Sequence, residues 1–84
     1  MANAVRLINL GVPEPTAKEM AAQIEAQAGD RKRLEGVAVE PLLAQELAGQ
    51  IDAGGTVSAV RLVDFAMVPE VAVELAAQIT ADRA

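Results

Sequence analysis

The side chains that could do chemistry are twelve carboxylates, seven lysines or arginines, and the hydroxyls of Thr16, Thr56, Ser58 and Thr80. Histidine, cysteine and tyrosine are absent. That removes the usual general base, the thiol nucleophile and the soft ligands of transition metals. Gly54-Gly55-Thr56 lacks the lysine and the spacing of a phosphate-binding loop, so it reads as a turn. No aspartate-rich calcium loop is present either. The chain is therefore expected not to be an enzyme, with no catalytic, cofactor-binding or metal-ligating residue.

The polar groups that do recur are spaced for contact rather than catalysis. Glu19 and Gln23 stand four apart, as do Glu46 and Gln50, and Glu74 and Gln78. Arg6, Arg33 and Arg61 recur on the same period. Two readings stand side by side. In one, each Glu or Gln bonds the turn of an adjoining unit or subunit and the arginines pair with the glutamates. In the other, they are solvated helix-edge residues left by duplication, where exposed ion pairs contribute little.

These residues belong to a sequence that repeats itself. Ala17-x-Glu19-Met20-Ala21-x-Gln23-Ile24 returns as Ala44-x-Glu46-Leu47-Ala48-x-Gln50-Ile51 and as Ala72-x-Glu74-Leu75-Ala76-x-Gln78-Ile79. The offsets are 27 residues from Gln23 to Gln50 and 28 from Gln50 to Gln78. A period of this size marks a repeated supersecondary unit. Ala17, Met20, Ala21 and Ile24 fall at i, i+3, i+4 and i+7, one face of a helix. Pro15, Pro41 and Pro69 sit near helix starts, where a missing N–H is harmless. Gly29 and Gly54-Gly55 can end the first two helices. Three helices follow, over roughly 14–27, 41–53 and 69–82.

The first half of each unit predicts a short helix, with a strand as the alternative. A helix places Ala4, Leu7, Ile8 and Gly11 on one side, and Ala59, Leu62, Val63 and Ala66 in the third copy. Strict alternation would instead bury Asn9 and Asp64. Asn3, Asp30 and either Thr56 or Ser58 are suited to cap these helices. A tight turn is expected near Gly11 and its counterparts. The middle copy is the weakest, because Glu35-Gly36 interrupts its apolar pattern. The expected fold is all-α: one domain over 1–84, with three repeats of short helix, turn and longer amphipathic helix at about 4–27, 31–53 and 59–82. An α+β fold with short strands is the alternative.

Composition narrows the class of partner. The net charge of −5 argues against nucleic acid. The run Arg31-Lys32-Arg33, diluted by Asp30 and Glu35, reads as a solvated helix start. No apolar stretch approaches the roughly 20 residues of a membrane span, and Met1-Ala2-Asn3-Ala4 lacks the features of a signal peptide. Synthesis in a cytoplasm is expected. Phe65 is the only aromatic residue, and Phe65-Ala66-Met67-Val68 is the most apolar run. It reads either as inward packing of the third turn or as a contact surface.

The pattern Leu7-x-x-Leu10-Gly11-Val12-Pro13, followed by Ala17-x-Glu19-Met20-Ala21-x-Gln23-Ile24, resembles the short Ala-rich repeats of phage head-fibre and capsid decoration proteins. The middle copy departs from it, with Ala38 at the place of Gly11 and no proline until Pro41. A weaker likeness, to ubiquitin-associated three-helix domains, rests on the Leu-Gly step alone. The first resemblance implies a virion component on the capsid surface, made in the cytoplasm of a bacterial host. Its partner would be the major capsid protein, and it would form a homo-oligomer, with a trimer favoured. Leu10, Val12, Phe65, Met67 and Val68 are the expected contact residues, with Arg6, Arg33 and Arg61 as polar partners. The alternative is a cytoplasmic adaptor holding a partner's helix in a groove between units.

Overall fold

A computed structural model describes residues 2–54 and 58–83. It contains α1 (Ala4–Asn9), α2 (Glu14–Ala26), α3 (Arg31–Gly36), α4 (Pro41–Ala53), α5 (Ala59–Asp64) and α6 (Pro69–Arg83). No strand occurs among the described residues, so the fold is all-α and the short-strand alternative fails. Each short helix packs on the long helix that follows it: α1 on α2, α3 on α4, α5 on α6. The short helices α3 and α5 also touch the long helix before them, and α1 meets α6, so the chain closes into a circuit.

The long helices form where the apolar spacing puts them. Ala17, Met20 and Ile24 are buried in α2, Ala44, Leu47, Ala48 and Ile51 in α4, and Ala72, Leu75 and Ile79 in α6. The fully buried alanines let neighbouring backbones come close, and the larger side chains fill the space between. Ala21 and Ala76, expected on the same buried stripe, are only half-buried. Pro15 lies in the first turn of α2, while Pro41 and Pro69 open α4 and α6.

The short helices bury less than their patterns suggest. Leu7, Leu34 and Leu62 are each fully buried and are the only buried residue of α1, α3 and α5. Val63 and Ala66, expected to face inward, are exposed. A helix of six residues turns too few times to present a broad face, so one leucine serves as its anchor. Asn3, Asp30 and Ser58 cap the three starts by accepting the N–H of Arg6, Arg33 and Arg61. Thr56, the other candidate cap of the third copy, lies outside the described residues, as does Gly55 of the connector.

The turn after each short helix has one geometry. The N–H groups of Val12, Val39 and Met67 donate back to the carbonyls of Leu7, Leu34 and Leu62 at 3.0–3.1 Å. The residue before each donor has positive φ: Gly11 at +100°, Ala38 at +69° and Ala66 at +75°. Only glycine takes that conformation without steric cost. At the other end of the unit, α2 is closed by Gln27 at φ +56° rather than by Gly29. Gly29 serves another purpose. A Cβ there would run into the backbone of Ala48, so it marks a close approach to α4.

Two glycine-based substitutions test this packing by denaturant titration. Ala66→Gly should raise stability by about 0.5–1 kcal/mol, the relief of left-handed strain less the added freedom of the unfolded chain. Gly29→Ala should lower it by about 1–3 kcal/mol, the usual cost of forcing atoms into a filled space.

Candidate functional site

The recurring polar residues converge where one unit meets the next, on short helices capped at the junction and long helices whose edge faces it. Gln23, Gln50 and Gln78 are all buried, each on the edge of a long helix. At the first junction the Gln23 side-chain amide donates to the Asp30 carbonyl at 3.1 Å, and its oxygen accepts the Asp30 N–H at 2.8 Å. At the second, Gln50 makes the same pair with Ser58, both at 3.1 Å. At the third, Gln78 donates to the Asn3 carbonyl at 3.1 Å and accepts the Asn3 N–H at 2.8 Å. Each glutamine thus clasps the backbone of the capping residue of the next short helix.

The remaining donor of each amide is used as well. Gln23, Gln50 and Gln78 donate to Glu19, Glu46 and Glu74, one turn back, at 2.8–2.9 Å. Those carboxylates in turn accept two parallel bonds from Arg33, Arg61 and Arg6, at 3.0–3.1 Å. The fork of two bonds fixes the orientation of both planar groups. Pairing with arginine first, and the glutamine bond second, holds all three carboxyls below their ordinary value of 4.5. Among the described residues no buried side-chain nitrogen or oxygen lacks a partner.

Of the two sequence readings, the bonded one describes this chain: the Glu, Gln and Arg residues form the unit-to-unit joints. The arginines are committed inside the chain rather than held free for a partner. They remain largely exposed while their glutamates are nearly covered, so solvent can still reach the outer edge of each joint.

The other expected contact residues divide. Met67 is buried and Val12 is half-covered against the core, so both anchor turns. Leu10, Val68 and, in part, Phe65 reach the surface. Leu10 lines a shallow hollow of about 380 Å³ with Pro69, Glu70, Val73 and Glu74. Phe65 stands at the corresponding corner of a larger groove of about 490 Å³ between α4 and α5, with Leu42 and Gly49. Gly49 sits inside α4 with open space where its Cβ would lie, at the position filled by Ala22 and Ala77 in the other long helices.

The exposed aliphatic surface is uneven. Val5 and Leu10 lie on and just after α1, Val60, Val63 and Val68 on and just after α5, and Val73 on α6; α1 and α5 both pack on α6. Leu42 on α4 is the one large exposed aliphatic elsewhere among the described residues. Where α1 and α5 show Val5 and Val60, α3 shows Lys32; where they have Ile8 and Val63, it has Glu35.

Sequence reasoning missed a second polar cluster at the ends of the long helices. Arg83 donates to the carbonyls of Ile51 at 2.6 Å and of Asp52 and Gln27 at 3.3 Å. It thereby satisfies late carbonyls of α4 and the carbonyl of the residue that caps α2 from the end of α6. Gln27 donates to the Asp82 carbonyl, and Asp52 accepts the Gly29 N–H. Arg83 has no counterpart at the ends of α2 and α4, so no periodicity pointed to it. Thr16 is likewise unrepeated; its hydroxyl donates to the Val37 carbonyl at 2.8 Å.

No group of three or more metal-binding side chains occurs among the described residues. Among those residues, no helix is long and apolar enough to cross a membrane. No protein family, curated protein or solved structure matches this chain.

The joints give two measurable outcomes. Gln78→Ala removes both partners of the Asn3 backbone and should cost about 2–3 kcal/mol by denaturant titration, as for other buried bonds of this kind; Arg6→Ala should cost much less. Acid is the second probe. A carboxyl whose folded pKa is lowered contributes stability above its unfolded value, and that stability is lost as pH falls through the folded value. The thermal midpoint should hold from pH 7 to about 5 and drop below about pH 4.5, more steeply than in a Glu19→Gln, Glu46→Gln, Glu74→Gln variant.

Proposed function

We propose that this chain is a non-enzymatic assembly module that docks on the outer surface of a bacteriophage capsid and reinforces it. The observation that carries this reading is that six of the seven large exposed aliphatics among the described residues lie on or beside α1, α5 and α6, and that α3 carries Lys32 and Glu35 where α5 carries Val60 and Val63. Val60 and Val73 are 69% and 61% exposed. Aliphatic side chains left uncovered on helices that pack on one another suit contact with a partner. The partner is the major capsid protein, and the place of action is the virion surface. Nucleic acid is disfavoured as a partner by the net charge of −5.

Attachment would combine burial of these aliphatics with contacts from the polar rim. Repetition over a shell makes modest individual contacts long-lived, because neighbouring sites raise the effective concentration. The three polar joints are satisfied within one chain, and this supports one copy per shell site rather than the trimer that the resemblance implies. The second reading, an adaptor for another protein's helix, is favoured by one observation: the groove between α4 and α5, with Gly49 in its wall. A mid-helix glycine costs about 1 kcal/mol relative to alanine, and here no neighbour among the described residues requires it.

Co-sedimentation with empty capsids of a candidate phage separates these readings. The chain should pellet with assembled shells but not with unassembled capsid protein. Val60→Lys with Val73→Glu should weaken that binding at least about ten-fold while leaving the thermal midpoint within a few degrees, as expected of exposed positions. A folded monomer with no affinity for any shell would overturn the docking proposal. Loss of partner binding on Gly49→Leu alone, with shell binding absent, would favour the adaptor.

A further inference from the structure

We infer that the α6–α1 junction is an exchangeable joint, through which a second copy of this chain docks with its α1 end seated on the α6 end of the first. This inference does not rest on the shell reading; it follows from the chemistry of the joints.

The α6–α1 junction is made of the same parts as the other two. Gln78 clasps the Asn3 backbone as Gln23 clasps Asp30 and Gln50 clasps Ser58. Arg6 forks onto Glu74 as Arg33 does onto Glu19 and Arg61 onto Glu46. The other two junctions are held together by the chain itself, which runs directly from the long helix into the next cap. The α6–α1 junction joins residues 75 positions apart and has no covalent link across it. It is the one joint of the three whose halves no connector ties together.

Nothing in its recognition identifies the owner of either half. Gln78 reads only a backbone N–H and carbonyl, and Arg6 reads only a carboxylate. Leu7 is fully buried and α1 packs chiefly on its own α2, so the first unit moves as one piece when the Gln23–Asp30 clasp parts with it and residues 27–30 open as a hinge. The accompanying bonds across the joint, from Gln27 to the Asp82 carbonyl and from Arg83 to the Gln27 carbonyl, transfer with it. A pair of copies that exchange first units remakes the Gln78–Asn3 and Gln23–Asp30 clasps and the Arg6 and Arg33 forks between chains, and only the connector at 27–30 takes a new path. The difference between the two states is therefore mainly entropic. Closure within one chain is favoured by an effective concentration on the order of millimolar, so dilute chains close on themselves and crowded ones exchange.

Charge reversal tests this with full-length protein. Arg6→Glu places two acids at the joint, and Glu74→Arg places two bases there. Each variant alone is expected to be a monomer by light scattering. Refolded together, they can form a dimer with an ion pair at both joints. At one joint the carboxylate introduced in the first chain meets the guanidinium introduced in the second; at the other the native Arg6–Glu74 pair forms. The mixture should hold a dimer fraction about ten-fold above that of either variant alone, since two pairs are gained and two repulsions are lost. The double variant, with the pair restored inside one chain, should return to monomer.

A mixture containing only monomers overturns the proposal, as does a dimer equally abundant in either single variant. Should a charge variant not refold, two isotopically distinct wild-type preparations, denatured and refolded together at about millimolar concentration, give the same reading. Mixed-mass dimers by native mass spectrometry support the joint, and their absence overturns it. Shell binding is unaffected by either outcome, so failure here leaves the docking proposal to its own test.

Discussion

A buried primary amide must find acceptors for two N–H groups and a donor for its oxygen, and in this protein that requirement organises the fold. Gln23, Gln50 and Gln78 each face the one backbone residue at a helix start whose N–H and carbonyl can answer both needs. The spare N–H goes to a glutamate one turn back, which an arginine of the next helix holds in place. Away from bulk water, such bonds are directional and expensive to leave half-made. They fix both the angle and the register at which a short helix meets the long helix before it. The same amides give the sequence its most regular feature, because a joint used three times needs its groups at one spacing.

The apolar core works inside that frame. With one aromatic residue in the whole chain, bulk comes from leucine, isoleucine and methionine set between close-approaching alanines. Each short helix fully buries a single leucine, with Ala4 and Ile8 of α1 and Ala59 of α5 partly covered beside it, and leaves much of its surface free. That freedom is where the copies differ. At two such positions α3 carries Lys32 and Glu35, where α5 carries Val60 and Val63 and α1 carries Val5 and Ile8. The joints hold the copies in equivalent settings, and the exposed faces distinguish them, which is why function is sought on the faces.

The joints also separate scaffold from surface in chemical terms. Arg6, Arg33 and Arg61 recur because they complete joints, and their recurrence alone does not mark them as contacts for another molecule. Leu10 and Phe65 occupy matching corners yet line different hollows, one shallow and one deeper. Met67 and Val12, adjacent in sequence to exposed neighbours, are drawn inward by the turn bond each donates to the leucine carbonyl five residues earlier.

Much of this was legible in the residues alone. The i, i+3, i+4, i+7 stripe located α2, α4 and α6, and the cost of burying Asn9 and Asp64 favoured helix over strand for α1 and α5. Cap chemistry identified Asn3 and Asp30 and left the third cap between Thr56 and Ser58. What sequence could not decide was every matter that depends on residues far apart in the chain. It left open whether Gln78 faced water or the Asn3 backbone, whether Gly29 ended a helix or admitted Ala48, and whether Arg83 touched anything. Periodicity and propensity are local quantities, set by the geometry of a turn or two of helix. Which N-terminus α6 receives, and which carbonyls Arg83 reaches, are set by how six helices close on one another, and only the tertiary structure carries that information.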